Sequence, residues 1–211
     1  MFGFIKSAIK GLQKPEYDNV GNSDEYEERR YKPAKWVSTT VNKISAKEAT
    51  TEGFHRLFAF ISGENDKSTK VDMTAPVTTW VDPGAGPNCE SSFTVSFYIP
   101  TEHQEDPPKP TNPLVFIEDR PEFTAYVTKF GGFANDEMWV QKAVELGNAI
   151  GDYSKFNDEQ YYTAGYDPPF KPFGRTNEIW FVKNETSLKG SSVDQKEEQK
   201  IQYSPVNVTT V

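Results

Sequence analysis

The chain can be read outward from one central stretch, which runs Lys70-Val-Asp-Met-Thr-Ala-Pro-Val-Thr-Thr-Trp80. Between Val71 and Val77 apolar and polar residues alternate, a pattern typical of a half-buried β-strand. Pro76 has no N–H to give to a strand ladder, so the strand must reach an edge, a bulge or a bend there. We therefore predict a central strand in this stretch, preceded by a helix and followed by a turn and a further strand.

The helix before this stretch has a clear start and a clear end. Ser45-Ala-Lys-Glu48 is a capping box, in which the Ser45 side chain bonds to the backbone of Glu48 and the Glu48 side chain returns to Ser45. Gly63 is placed to end the helix. The apolar stripe between these signals comprises Ala46, Ala49, Thr50, Gly53, Phe54, Leu57, Phe58 and Ile61. This spacing predicts a helix that packs one face on a sheet.

Further elements follow the same two periods. A second helix is predicted from Asn135 or Asp136, with an apolar stripe from Trp139 to Ile150. Residues 16–25 are polar and acidic, which predicts a linker. A first strand is expected from about Tyr26. The other predicted strands are Ala34–Val41, Phe93–Ile99, Val115–Asp119, Phe123–Phe130, Tyr161–Tyr166 and Glu178–Lys183.

The order strand, strand, helix, strand, strand occurs twice, which indicates an internal duplication. Glu27-Glu-Arg29 followed by Ala34 matches Glu118-Asp-Arg120 followed by Ala125, at an offset of 91 residues (118 − 27). Two copies are too few to stack as a solenoid. We therefore predict two ββαββ halves within one domain of the α+β class.

Two such halves can pair into one closed or nearly closed antiparallel barrel with the helices outside, which removes exposed sheet edges. The offset of 91 residues also places Met73 on Ala164 (73 + 91 = 164). An eight-stranded barrel is just wide enough for side chains to fill. The bulky residues expected to fill it are Phe93, Val95, Phe97, Ile99 and Trp180.

Composition restricts the class of protein. A length of 211 residues suits one domain, and a net charge of -8 argues against nucleic acid as a partner. The single cysteine, Cys89, favours a reducing compartment. No apolar run approaches a membrane span, and the start lacks the features of a secretory signal. We expect a cytoplasmic protein with an amphipathic segment and linker (1–23), one domain (24–184) and a disordered polar tail (185–211).

The segment from Phe2 to Lys14 leaves two interpretations open. Its apolar residues recur at helical spacing, while its lysines repeat every four residues on another face. Such a segment can make weak contact with a membrane surface or resemble an organelle-targeting start. The alternative is a terminal helix that simply touches the domain.

No residue pattern indicates catalysis, so we do not expect an enzyme. His55 and His103 are the only histidines, and Cys89 has no histidine or basic neighbour in sequence to lower its pKa. The carboxylates fall in exposed runs, and neither a glycine-rich phosphate loop nor a Cys-x-x-Cys-His string is present. What the sequence offers is apolar and aromatic surface.

Three strings carry a resemblance to a known family: Met73-Thr-Ala-Pro-Val77, Ala164-Gly-Tyr-Asp-Pro-Pro169 and Asn177-Glu-Ile-Trp180. With them, the chain resembles the SOUL/haem-binding-protein family from about Tyr26 to Lys183. The resemblance implies a distorted eight-stranded antiparallel β-barrel with two flanking helices. It also implies a non-enzymatic protein that binds haem b, or another porphyrin, non-covalently in an apolar groove by the first helix.

The resemblance extends to individual site positions. Those that match the haem-contacting helix surface of the family are Thr51, Phe54, Phe58 and Ala59. The family's basic residues are not kept there, and Lys47 and Arg56 are the nearest substitutes to meet the propionates. Close relatives carry a proposed axial histidine in a first-strand Arg-His-Tyr string, but Arg30 occupies that place here and cannot ligate iron. Haem would then bind either through apolar contacts alone or with His55 as the metal ligand.

A second hypothesis is a protein-interaction module. Pro33-Ala-Lys-Trp-Val-Ser38 and Phe116-Ile-Glu-Asp-Arg120 resemble the SOUL branch of the family. Members of that branch are linked to mitochondrial permeability and cell death through apoptosis-regulator proteins, which implies a mitochondrion-associated location. Leu146-Gly-Asn-Ala-Ile-Gly-Asp152 loosely resembles the helical segment that such partners accept, and otherwise is simply the end of the second helix. A bound porphyrin gives a Soret band, whereas an interaction module gives none.

Overall fold

The structure, a computed structural model, describes residues 11–86 and 89–184. The predictions for the amphipathic start and for the tail from residue 185 fall mainly or wholly outside these residues and stay predictions. The described strands are β1 (Tyr17–Asn22), β2 (Glu27–Tyr31), β3 (Ala34–Lys43), β4 (Val77–Asp82), β5 (Ser91–Tyr98), β6 (Phe116–Arg120), β7 (Phe123–Phe130), β8 (Tyr161–Gly165) and β9 (Asn177–Val182). The helices are α1 (Ala46–Ile61) and α2 (Asp136–Ile150). In the part of the chain described, neither helix has the length and apolar character needed to cross a membrane.

All the described strands join one antiparallel sheet in the order β1-β2-β7-β9-β8-β4-β5-β3-β6. The sheet curls into a half-barrel, with α1 packed on β3 and β5 and α2 packed on β7 and β9. We call the face turned away from both helices the inner face. The predicted α+β class and distorted barrel are confirmed, with nine strands described where eight were expected.

The pairing of the strands bears out the internal duplication. The series β2-β7-β9-β8 is mirrored by β6-β3-β5-β4, so the first strand of each half pairs with the second strand of the other half. Arg29 lies opposite Ala125 in one of these pairs, and Arg120 lies opposite Ala34 in the other. Both pairs obey the 91-residue offset predicted from the sequence. The two halves are therefore interlocked within one domain.

The side-chain caps at the starts of both helices follow the prediction, but the described residues show no return hydrogen bond from the Glu48 side chain to Ser45. The Ser45 Oγ accepts a hydrogen bond from the Glu48 N–H at 3.3 Å, and the Asn135 Oδ1 accepts one from the Met138 N–H at 2.8 Å. Gly63 lies just beyond the end of α1 with φ 118°, a conformation that favours glycine. Each capped helix packs on strands of its own half, α1 on β3 and β5 and α2 on β7 and β9.

We expect Ser45→Ala to lower the free energy of unfolding by about 1 kcal/mol, because it removes the side-chain acceptor of the first turn of α1. The measurement is urea unfolding of the variant and the wild type. Ser92→Ala, at a strand position without a helix to cap, is the control. An unchanged midpoint for Ser45→Ala would show that the cap is replaced by water at no cost.

Strand β1 corrects the linker predicted for residues 16–25. Among the described strands it pairs with β2 alone, from Tyr17 opposite Tyr31 to Asn22 opposite Glu27. Its side chains are nearly all exposed, so it lacks the apolar alternation by which a half-buried strand is recognised. An edge strand of this kind is specified by its partner rather than by its own pattern.

The central strand begins later than the alternation predicts. Strand β4 starts at Val77, whereas residues 71–76 form no strand ladder and contain the cis peptide bond Ala75-Pro76. Met73 therefore precedes β4 while Ala164 lies inside β8, so the 91-residue offset does not hold there. The missing N–H of proline accounts for the start of the ladder just after it.

The side chains expected to fill the barrel lie on two different faces. Four of the five pack beneath α1: Phe93, Val95, Phe97 and Ile99. Trp180 belongs to the inner face, where its ring stacks on Tyr31 with centroids 4.6 Å apart. Alternation along a strand shows which residues share a face, but not which face meets a helix. The prediction for these four residues is therefore wrong.

Candidate functional site

Four of the seven predicted site residues lie in one row on the outer surface of α1. They are Lys47, Thr51, Phe54 and Phe58, three or four positions apart, and we call them the α1 stripe. The Phe54 and Phe58 rings stack with centroids 5.9 Å apart and 15° between their planes. Phe54 also meets the edge of Phe97 at 5.3 Å, and 37% of the Phe58 surface is exposed. Ala59 lies half-buried beside the row. The α1 stripe presents flat apolar surface with an ammonium group towards its start.

A glycine lets α1 approach the sheet closely at this point. A Cβ at Gly53 would stand 2.5 Å from Cγ2 of Val95 and 3.4 Å from Cγ2 of Thr39. Real Cβ atoms do not tolerate the shorter of these distances. Gly53 therefore seats the helix on β5 and β3, and fixes the height at which the neighbouring Phe54 emerges.

Arg56 lies on another flank of α1, away from the α1 stripe. Its Nη1 donates to Thr39 Oγ1 at 3.2 Å and to the carbonyl of Thr40 at 3.3 Å, and its Nη2 is paired with Glu52. Our sequence hypothesis was that Arg56 and Lys47 meet the same ligand. The structure does not bring these two side chains together, because the guanidinium is already held against β3.

The candidate iron ligand, His55, and the position of Arg30 lie on different elements of the fold. His55 is exposed on α1, with its ring 6.4 Å from the Phe54 ring. Arg30, at the position where the family resemblance implied a histidine, lies on β2 with Nε 4.0 Å from Glu122 Oε1. Residues 11–86 and 89–184 contain no group of three or more His, Cys, Asp or Glu side chains that could hold a metal ion.

Apolar surface continues from α1 towards the central strands. Phe54, Met73 and Val77 all pack, partly buried, against the core beneath α1. Val77 lies opposite both Phe97 of β5 and Gly165 of β8. The sequence marks this region only through the Met73–Val77 string, which we interpreted as part of a strand. In the structure, Met73 and Val77 of this string instead add partly buried apolar side chains next to Phe54.

A pocket of about 470 Å³ lies at a position that the sequence analysis missed. Its floor holds Arg29 and Glu178, joined by two hydrogen bonds of 3.1 and 3.0 Å. Glu178 also accepts hydrogen bonds from the Tyr166 hydroxyl at 2.7 Å and from Trp180 Nε1 at 2.8 Å. Burial raises the pKa of Tyr31 and Tyr166, so both phenols keep their protons as possible donors. The repeated Glu-x-Arg string was the one sequence signal for this cluster.

A second pocket, of about 390 Å³, contains the duplicated counterpart of Arg29. The Arg120 guanidinium lies 4.1 Å from the Trp36 ring centre and 4.9 Å from that of Tyr162. It donates to both Glu118 oxygens at 3.0 Å. Burial opposes ionisation of Glu118, but Arg120 and a hydrogen bond from Ser38 outweigh it and lower the pKa of this carboxyl. Neither pocket is lined by a residue of α1.

We expect Glu118→Gln to cost stability at neutral pH and to cost less in acid. The folded-state pKa of Glu118 is lowered from 4.5, so its contribution is present above that value and is lost as the pH falls through the lower folded-state pKa. The measurement is the free energy of unfolding of both proteins between about pH 3 and pH 7. Glu105→Gln, an exposed carboxylate, is the control. A difference that did not vary with pH would contradict the expectation.

The segment from Leu146 to Asp152, which we considered for partner binding, packs against the sheet through Leu146. Leu146 is 2% exposed and packs with Phe156 and Ile179. Gly151 ends α2 in the left-handed conformation, with φ 72°. In this arrangement Leu146 is turned towards the sheet, so a partner could take it only if α2 left the sheet. The interaction hypothesis stays a prediction.

Comparison with known proteins gives a consistent set of relatives. A family model described as SOUL heme-binding protein matches residues 12–182. The chain is 46% identical over 165 residues to heme-binding protein 2 of Mus musculus, covering 77% of this chain and 80% of the relative. It is 38% identical over 193 residues to heme-binding protein 1 of Xenopus laevis, covering 87% and 100%. The match begins earlier than the resemblance from Tyr26 and takes in β1.

Solved structures share the architecture at low identity. The EcmrR C-terminal domain superposes with a TM-score of 0.54 at 11% identity, covering 80% of this chain and 98% of that chain. A hydrolase from Listeria innocua superposes with a TM-score of 0.52 at 8% identity, covering 78% and 94%. At such identities the likeness concerns the fold alone, since one fold hosts many functions.

Proposed function

Since this chain belongs to the SOUL heme-binding protein family, we propose that it binds haem non-covalently on the α1 stripe and acts as a binding protein rather than an enzyme. The observation that carries the proposal is the stacked pair of Phe54 and Phe58, partly open on the surface of α1. A flat apolar macrocycle needs such a surface, together with a few polar groups to orient it.

The α1 stripe and its neighbours offer haem a fixed ring surface, polar groups and further apolar surface. Phe54 is braced from below by Phe97, so its ring is already fixed before a ligand arrives. Lys47 lies on the same row and can pair with a propionate, while His55 is the imidazole on this helix that can reach the iron. Met73 extends the apolar surface beyond the helix. Bound haem would supply the iron chemistry, and these residues would bind and orient it.

We expect Lys47→Glu to weaken haemin binding about five- to tenfold, because it replaces the one stripe cation with a charge that repels a propionate; tenfold corresponds to about 1.4 kcal/mol. The measurement is a haemin titration followed by the Soret absorbance. We choose Lys47→Glu alone because a double variant that also replaced Arg56 would break the bonds of Arg56 to Thr39 and Glu52.

Lys109→Glu is the matched control, because it reverses another exposed lysine outside α1. Equal haemin affinity in Lys47→Glu and the wild type would remove the α1 stripe from consideration. His55→Ala separates iron ligation from ring binding. A shifted Soret maximum at similar affinity would assign the iron to His55, and an unchanged spectrum would assign binding to apolar contacts.

A further inference from the structure

We propose that the 470 Å³ pocket lined by Lys14, Arg29, Tyr31 and Tyr166 is a second ligand site, which takes a small aromatic carboxylate. The volume lies within the usual range for small-molecule sites, about 300–1,000 Å³. The proposal does not rest on haem binding, because α1 contributes no residue to this pocket.

The aromatic part of the preference comes from the phenol rings. Tyr17, Tyr31 and Tyr166 all line the pocket, so a ring-shaped ligand would enter an aromatic environment. The Tyr31 ring is itself fixed by stacking on Phe123, with centroids 5.0 Å apart, and on Trp180. The Tyr31 side of the pocket is therefore held in place without a ligand.

The carboxylates of the pocket are already paired with cations of the protein. The two oxygens of Glu178 accept bonds from Arg29, Tyr166 and Trp180. Asp167 Oδ1 is paired with Lys171 Nζ at 2.5 Å, and its Oδ2 accepts the Thr176 N–H at 2.6 Å. A cationic ligand would therefore meet carboxylates whose charge Arg29 and Lys171 already compensate.

The cations of the pocket are matched by acids, with one exception. Arg29 is neutralised by Glu178, and Lys129 Nζ lies 2.8 Å from Glu27 Oε1. Lys14 has no acidic partner among residues 11–86 and 89–184. Its Nζ lies 5.1 Å from the centre of the Tyr166 ring, at the pocket. One ammonium group is therefore available to one anionic group of a ligand.

The backbone on either side of Lys14 is tied to the body of the domain. The carbonyl of Gln13 accepts the Ala75 N–H at 2.9 Å, and the carbonyl of Glu16 accepts the Lys32 N–H at 3.0 Å. The ammonium group is thus delivered to the pocket by a fixed segment, which reduces the entropy lost when a ligand binds.

The Tyr31 hydroxyl is a neutral hydrogen-bond donor in the same pocket, next to Arg29. Its hydroxyl oxygen accepts from Arg29 Nη1 at 3.1 Å. No acceptor for its proton is described in residues 11–86 and 89–184. A carboxylate beside Lys14 can accept a second hydrogen bond from this hydroxyl, and that charge-assisted bond is stronger than the one a neutral alcohol would accept.

The test uses three probes of one shape and three charges: benzoate, benzyl alcohol and benzylammonium. Each is titrated into the full chain, and binding is followed by the backbone amide shifts in ¹H–¹⁵N spectra. We expect benzoate to shift the amides of the non-proline residues in the ranges 14–17, 29–31 and 166–178 in a saturable way. Benzyl alcohol should bind several-fold more weakly, and benzylammonium should cause no saturable shift in these amides.

Lys14→Gln should weaken benzoate binding about tenfold, the loss expected for one charge-assisted hydrogen bond of about 1.4 kcal/mol. Tyr31→Phe, which keeps the ring and removes the proton, should weaken it about threefold. Lys109→Gln is the matched control and should leave the affinity unchanged. Equal binding of benzylammonium, equal affinity in Lys14→Gln, or benzoate shifts confined to α1 would each overturn the proposal.

Discussion

Arg29→Met is expected to lower the free energy of unfolding by about 3–5 kcal/mol, because it leaves a buried carboxylate without its cation. The Glu178 side chain is 2% exposed and receives two hydrogen bonds from the guanidinium. The measurement is urea unfolding, with the slope of the transition checked against the wild type.

The internal duplication provides a matched control at the equivalent position. Arg120→Met removes the same type of side chain, but its partner Glu118 is 29% exposed and can be rehydrated. We expect this variant to cost clearly less, about 1–2 kcal/mol. Equal losses in the two variants would show that the burial of the partner does not govern the effect.

A double variant separates the cost of losing the ion pair from the cost of leaving the buried Glu178 carboxylate without a cation. Arg29→Met combined with Glu178→Leu removes both charges, so no ionised group is left buried. We expect the double variant to be more stable than Arg29→Met alone, although Tyr166 and Trp180 then lose an acceptor. If it were less stable, the damage would come from packing and not from the uncompensated charge.

Much of the fold can be predicted from the sequence because the signals for it are local. Ser45 and Asn135 cap the two helices within three residues of their partners, and strand alternation needs only a few positions. The duplicated Glu-x-Arg string even predicts which positions of the two halves correspond. Strand β1 was missed because an exposed edge strand carries no alternation, and its pairing with β2 is a tertiary fact.

In the candidate sites too, the features set by local sequence could be predicted, whereas the contacts between distant residues could not. Helical periodicity places Lys47, Phe54 and Phe58 on one face, as the structure has them. The same periodicity turns Arg56 about 180° from Lys47, nine residues at about 100° each, so its separate location was accessible from the sequence. The pairing of Arg29 with Glu178 was not, because the two lie 149 residues apart.

Gly53→Ala is expected to destabilise the protein by about 1–3 kcal/mol, even though alanine favours a helix by about 1 kcal/mol over glycine. The added Cβ would lie 2.5 Å from Val95 Cγ2 and 2.8 Å from Val95 Cβ. Val95 is fully buried and β-branched, so it cannot rotate away, and α1 must rise from the sheet. Phe54 moves with it, so haemin affinity should fall as well. Urea unfolding and a haemin titration measure the two effects.

Gly147→Ala in α2 is the matched control, and its effect should have the opposite sign. A Cβ there would meet Tyr153 Cε1 and Oη at 3.4 Å, an ordinary contact distance. The variant should therefore keep the helical advantage of alanine, about 0.5–1 kcal/mol, and leave haemin binding unchanged. If Gly53→Ala were as stable as Gly147→Ala, the close approach of α1 to β5 would not be what positions the α1 stripe. Destabilisation by Gly53→Ala with unchanged haemin affinity would instead place the haem away from Phe54.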